Sequence, residues 1–239
     1  MKNLLLIITT VMFFSACGSK EQNNRLVVKN TAPKKETRKT VESQFPTLNV
    51  YNMGGVPGKD IEELVQALKV VYPNTRNVGE MTLVDSAYIK NDKKGNNRYW
   101  WSKLCKHLKK TTDYKHGITL VIVNAEVCTW ERKTKGSHAN LGVSNCGGHI
   151  STISYQRLKV NHLNNNNDLM KVVIHELGHS VAGLVAERAD LRSHCPNTKC
   201  LMRDAKNGYP YRGLTSFCPS CSNALKAKGF NLDALQLKK

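Results

Sequence analysis

The chain has 239 residues, enough to bury a sizeable core in one large domain or two small ones, and its apolar fraction of 40% is ordinary for a globular protein. Its charge is not ordinary: 36 Lys and Arg against 18 Asp and Glu give +18, which favours acidic partners such as anionic lipid, nucleic acid or acidic polymers. No interleaved basic and aromatic motif accompanies that charge, so nucleic acid is not an expected partner.

The first sixteen residues are not part of the fold. Lys2 supplies a short positive region, Leu4 to Phe14 is an apolar run broken only by Thr9 and Thr10, and Ser15 and Ala16 are small, as signal cleavage requires. The run is too short to span a bilayer comfortably. Phe14-Ser15-Ala16-Cys17 resembles a bacterial lipoprotein box. That resemblance implies cleavage before Cys17 and a lipid-modified N-terminus, and so an exported protein held on a membrane, periplasmic or at the cell surface, without a spanning helix. The alternative is an ordinary secretory signal with an incidental cysteine; export follows either way. Residues 17–45 read as a tether. They are polar and charged, with one small apolar cluster at Leu26-Val27-Val28, and cannot bury enough surface to fold alone.

The folded part is expected from residue 46 to 239. Thr47 to Met53 reads as a strand, with Leu48 and Val50 on one face. Gly54-Gly55 and Pro57-Gly58 break it. Asp60 to Tyr72 has helical spacing at Ile61, Leu64, Val65, Leu68 and Val71, and Asp60 with Glu63 forms a pattern like a capping box. Pro73 ends it. Met81 to Val84 is a short strand candidate, and Arg98 to Lys110 a second helix with Trp101, Leu104, Cys105 and Leu108 on one face, which makes Cys105 most simply a buried thiol. Gly117 to Asn124 is a nearly continuous β-branched run, as expected of a strand covered on both faces. Glu126 to Gly148 reads as irregular, and His149 to Tyr155 as a strand at the sheet edge. Asn164 to Asp168 offers helix-capping residues. Strand and helix alternate, which argues for an α/β sheet with packed helices.

The chemistry lies between Val172 and Cys221. Leu169, Val173, Leu177, Val181 and Leu184 form an inward helical stripe. His175 and His179, four apart, share another face, which is read as turned toward a cleft. Two neutral imidazoles so placed can hold one Zn²⁺, with Glu176 beside them to act on a metal-bound water. Downstream come His194-Cys195, Cys200, Met202 and the pair Cys218 and Cys221.

This set of motifs resembles the archaemetzincin family of zinc metallopeptidases. The resemblance covers roughly Thr47 to Cys221 and is strong only at the motifs. It implies a metzincin-like α/β fold: a mixed twisted sheet with packed helices, an active-site helix and a small Cys-rich, zinc-binding C-terminal part. It implies a catalytic zinc on His175, His179 and His194, and Met202 in a turn beneath the metal. It also implies a second, structural zinc on Cys195, Cys200, Cys218 and Cys221, hence two Zn²⁺ per chain. The four thiols could instead form two disulfides, since exported proteins meet oxidising conditions. Cys128 and Cys146 could form a disulfide for the same reason.

One departure from the family bears on the third ligand. In the family a Gly turn precedes the third His closely. The corresponding places here are Ala182 and Val185, Gly183 comes one place late, and His194 stands fifteen residues after His179. Leu184 to Ser193 then carries an insertion. Glu187 and Asp190 are alternative third ligands, because carboxylates also complete zinc sites. The implied activity is peptide-bond hydrolysis with Glu176 as general base, on a peptide or protein substrate and by a monomer. The alternative is a non-catalytic, membrane-anchored binding protein that keeps zinc for structure.

Overall fold

A computed structural model describes residues 44–82, 97–131, 136–144, 149–160, 166–184, 194–203 and 213–237. The signal, the tether up to residue 43, Cys17, Cys146, Glu187 and Asp190 lie outside them.

In chain order the elements are β1 (Thr47–Met53), α1 (Gly58–Val71), β2 (Thr75–Met81), β3 (Arg98–Trp100), α2 (Trp101–Thr111), β4 (Gly117–Val123), β5 (Glu126–Glu131) and β6 (Gly136–Asn140). There follow β7 (Gly142–Ser144), β8 (Ile150–Ser154), α3 (Tyr155–Val160), α4 (Asn166–Ala182), α5 (Pro219–Lys226) and a 3₁₀ turn at Leu232–Ala234. One sheet has the order β2-β1-β4-β8-β7. Its first four strands are parallel and β7 runs antiparallel to β8 at one edge. A smaller sheet has the order β3-β5-β6.

β4 is at the centre because its run Ile118–Val123 can be buried on both faces. Ile118, Leu120 and Ile122 join the core shared with α1 and α4, whereas Val121 and Val123 join the core under α2 and the small sheet. The helices therefore lie on both sides of the large sheet. α1 buries Ile61, Leu64, Val65, Leu68 and Val71. The chain after α5 returns to α1: Phe230 packs on Tyr72 with ring centroids 4.8 Å apart, and the Asn231 N–H donates to the Val71 carbonyl at 2.7 Å.

Several expectations are corrected here. The capping box does not form. The residue preceding α1 is Pro57, with no side-chain cap, because Asp60 accepts a hydrogen bond from the Tyr155 hydroxyl and Glu63 turns to Lys59 at 3.8 Å. Of the strand expected at Met81 to Val84, Met81 is the last residue of β2, and residues 83–84 lie outside the described residues. The helix expected from Arg98 begins at Trp101, since Arg98–Trp100 pair with Glu126–Cys128 as a parallel ladder. The described residues between Glu126 and Gly148 contain three strands, β5, β6 and β7. The strand expected at the edge, β8, is interior, and the edge is β7. Cys105 is in a disulfide. Cys128 is a free and fully buried thiol, so the expected bond with Cys146 does not form.

Glu126 ties the small sheet to α3, the helix that follows β8. It is 2% exposed and accepts from Arg98 Nε at 2.7 Å, with Arg157 Nη1 of α3 at 3.6 Å from its other oxygen. A carboxylate so buried requires such partners.

Candidate metal centre and active site

α4 carries the first two ligands and the acid between them. Leu169, Val173, Leu177 and Val181 of the expected stripe are buried, whereas Leu184 lies beyond the helix end and is half-buried; almost every other face is buried too, with His175 1% exposed, Glu176 6% and His179 7%. The histidines are therefore enclosed rather than presented on an open surface. α4 is wedged between α1, the β7–β8 ladder and the segment from His194 to Arg203. At its C-terminus Gly183 takes φ +61°, a left-handed conformation that glycine adopts without penalty, so the helix stops where expected.

Segment 194–203 supplies the rest. The imidazole rings of His175, His179 and His194 converge. His194 lies stacked on His175 at 5.2 Å and edge-on to His179 at 4.9 Å, and the ligand atoms of all three lie within 4.8 Å of one another. His175 Nε2 and His179 Nε2 are 3.0 Å apart. A tetrahedral zinc with Zn–N arms of about 2.1 Å has edges of about 3.4 Å, so this spacing suits a shared ion. His175 Nδ1 donates to the Leu201 carbonyl at 2.6 Å, which leaves Nε2 as the nitrogen that faces the cluster. Desolvation, with His175 and His194 as neighbours, pushes the His179 pKa down to about 2, so its ring is the neutral form that ligates metal. His179 Nδ1 is buried without a hydrogen-bond partner among the described residues.

The four cysteines form a second cluster alongside. Cys195, Cys200, Cys218 and Cys221 are free thiols, not two disulfides, and their sulfur atoms lie within 4.8 Å of one another. Cys195 Sγ and Cys218 Sγ are 3.7 Å apart. Zinc–sulfur arms of about 2.3 Å give tetrahedral edges of about 3.8 Å. The Cys221 thiol donates to Cys200 and, with N–H groups from Cys218 at 3.2 Å and Met202 at 3.4 Å, holds the Cys200 pKa down at about 5. The same shared proton raises Cys221. The arrangement favours the thiolate at Cys200, the species that binds metal. The donor set fits a closed Cys₄ site, and the three imidazoles fit a site with one open position.

Met202 packs against the active-site helix. It is 1% exposed, and its sulfur would be 2.6 Å from a Cβ placed on Gly178. Gly178 within the His-Glu-Leu-Gly-His run therefore makes room for Met202.

Glu176 faces the sheet edge. Its Oε2 accepts from Ser144 Oγ of β7 at 2.5 Å. Burial pushes its pKa up to about 7, and the Ser144 hydrogen bond opposes that rise. Ser144, Ser151, Ser180 and Gly142 surround it, and none is singled out by the sequence. Serines in short polar stretches carry no periodic signal, and only the β7–β8 register gathers them.

No protein-family model matches the chain, and no curated protein matches it. Among solved structures it is similar to archaemetzincin from Methanopyrus kandleri, with a TM-score of 0.58 and 19% sequence identity, over 79% of this chain and 98% of that one. Likeness at that identity speaks to architecture, and the chain has the archaemetzincin fold.

Proposed function

We propose that the protein is a zinc metallopeptidase that hydrolyses peptide bonds. The observation that carries this reading is the convergence of His175, His179 and His194 within 4.8 Å, with Glu176 adjacent on the same helix. His194 meets the other two despite its displaced place in sequence, which supports it over Glu187 and Asp190 as third ligand. His175, His179 and His194 would hold a catalytic zinc, and Cys195, Cys200, Cys218 and Cys221 a structural one, making two ions per chain. When bound, the catalytic zinc lowers the pKa of a water and polarises a peptide carbonyl. Glu176 takes a proton from the attacking water and passes it to the leaving amine. A buried carboxylate with its pKa near 7 is well matched to both steps. β7, the antiparallel edge strand, offers the backbone along which an extended peptide could pair, the role expected of β8.

Glu176→Ala in the zinc-loaded protein should abolish cleavage of a peptide library while zinc content is unchanged. Undiminished cleavage refutes the reading. We propose further that the protein acts as an exported, lipid-anchored monomer. No described helix is long and apolar enough to cross a membrane. Cys17→Ser should release the protein from the membrane fraction and remove the lipid mass from the N-terminal peptide; an unchanged peptide mass would exclude lipidation there.

A further inference from the structure

The surroundings of Glu176 carry an inference that rests on the peptidase reading and deepens it. Ser144 on β7 pairs directly with Ser151 on β8, so their side chains share the face turned to α4. Ser144 Oγ is 2.5 Å from Glu176 Oε2, 3.0 Å from Ser151 Oγ and 2.9 Å from the Glu176 carbonyl. Ser151 Oγ is 2.8 Å from Ser180 Oγ, one helical turn beyond Glu176, and 3.1 Å from the Glu176 carbonyl. Ser151 is fully buried, Ser180 is 8% exposed and Ser144 half-buried.

Each hydroxyl has one proton to donate. A carboxylate only accepts, and a bond to it is the strongest of those open to Ser144, so the Ser144 proton is committed to Oε2. Toward Ser151 the Ser144 oxygen can then only accept, while Ser151, with one proton of its own, also has the Glu176 carbonyl as an acceptor at 3.1 Å. The three hydroxyls link the helix, the sheet and the carboxylate in one cluster. On the other side of that carboxylate, a Cβ placed on Gly142 would be 2.5 Å from Glu176 Cγ and 2.7 Å from Oε1. Gly142 and Ser144, alternate residues of one three-residue strand, thus grip the side chain from two sides.

We propose that Ser144 is a positioning residue for Glu176: by donating to Oε2 it fixes the carboxylate against β7 and leaves Oε1 as the oxygen that exchanges the proton. Gly142 completes the fit by leaving the space that the side chain occupies. The edge strand that would receive the peptide is then the strand that aims the base, so substrate register and proton transfer share one element.

The test uses the full, zinc-loaded chain with Ser144→Ala and Ser144→Thr, each checked for metal content. Ser144→Ala should lower kcat roughly 10- to 100-fold with KM changed less than about twofold, as expected for a misplaced reacting group. Ser144→Thr, which keeps the hydroxyl, should restore most of the rate. In a Glu176→Gln background Ser144→Ala should have no further effect on residual turnover. A crystal structure of Ser144→Ala should show the Glu176 carboxylate turned from its place against Gly142. An unmoved carboxylate with unchanged kcat overturns the proposal, as does an equal loss in Ser144→Ala and Ser144→Thr. If the parent chain cleaves no peptide, the peptidase reading falls, and the carboxylate's position in the Ser144→Ala crystal still decides the positioning role.

Discussion

Gly178 stands where the helix, Met202 and the three histidines meet. In most helices Gly→Ala gains about 1 kcal/mol from the smaller loss of backbone freedom. Here the new methyl would come 2.6 Å from Met202 Sδ and 3.0 Å from its Cε, and Met202 is too enclosed to swing into water. Overpacking of this kind costs about 1–3 kcal/mol, so the clash wins. Gly178→Ala should destabilise the chain by about 1 kcal/mol, and the loss should shrink when Met202 is also changed to Ala. Denaturation of the two single variants and the double variant gives the coupling; simple additivity would mean that the two residues do not contact. The residue scale was partly legible in the sequence. Spacing alone placed His175, Glu176 and His179 together, because a helix converts four residues into one face. The pairing of Ser144 with Glu176 was not legible, because it depends on strand register across 32 residues of chain.

Among the elements, α1 is the cleanest case of pattern becoming structure. Leu68 is fully buried and Val70, two residues on, is 55% exposed. Leu68→Ala should cost about 2–5 kcal/mol. Val70→Ala should change stability by no more than about 0.5 kcal/mol. Urea unfolding would read both as a shift of midpoint at constant slope, and equal shifts would contradict the assigned helix face. β4 was legible for the same reason: a continuous β-branched run suits only a strand buried on both sides. β5, β6 and β7 were not, since polar residues and glycines leave no periodic signal. β8 misled in a different way. Its alternation of Ile with Ser and Thr reads as a strand with one wet face, yet Ser151 and Ser154 are buried with their hydroxyls bonded, Ser154 to the Ala125 carbonyl at 2.7 Å. Small hydroxyl side chains can be interior when the fold supplies partners, and sequence does not display those partners.

At the scale of the whole molecule, the two clusters share one short piece of chain. Between His194 and Arg203 lie one imidazole, two thiols, Met202 and the Leu201 carbonyl that orients His175. The Cys195 N–H closes this piece by donating to the Met202 carbonyl at 2.7 Å. Whatever fixes Cys195 and Cys200 therefore fixes His194 and the carbonyl behind His175. Cys200→Ser should weaken zinc at the histidine cluster roughly 10- to 100-fold, as the loss of an outer partner does, although Cys200 belongs to the other cluster. Zinc titration after chelation would measure it. A variant that binds one zinc at the histidines with parental affinity would show the clusters to be independent.

Cys128 gives the same molecule an internal clock. Its thiol is fully buried, and desolvation first of all raises its pKa, so in the closed protein it has neither access to solvent nor a thiolate to react with. It lies on β5, opposite Trp100 of β3 and Ala139 of β6. An alkylating reagent can reach it only when the packing over that part of β5 opens. With zinc loaded on Cys195, Cys200, Cys218 and Cys221 as proposed, the labelling rate of the peptide that carries Cys128, read from its change in mass, becomes the rate at which that packing opens.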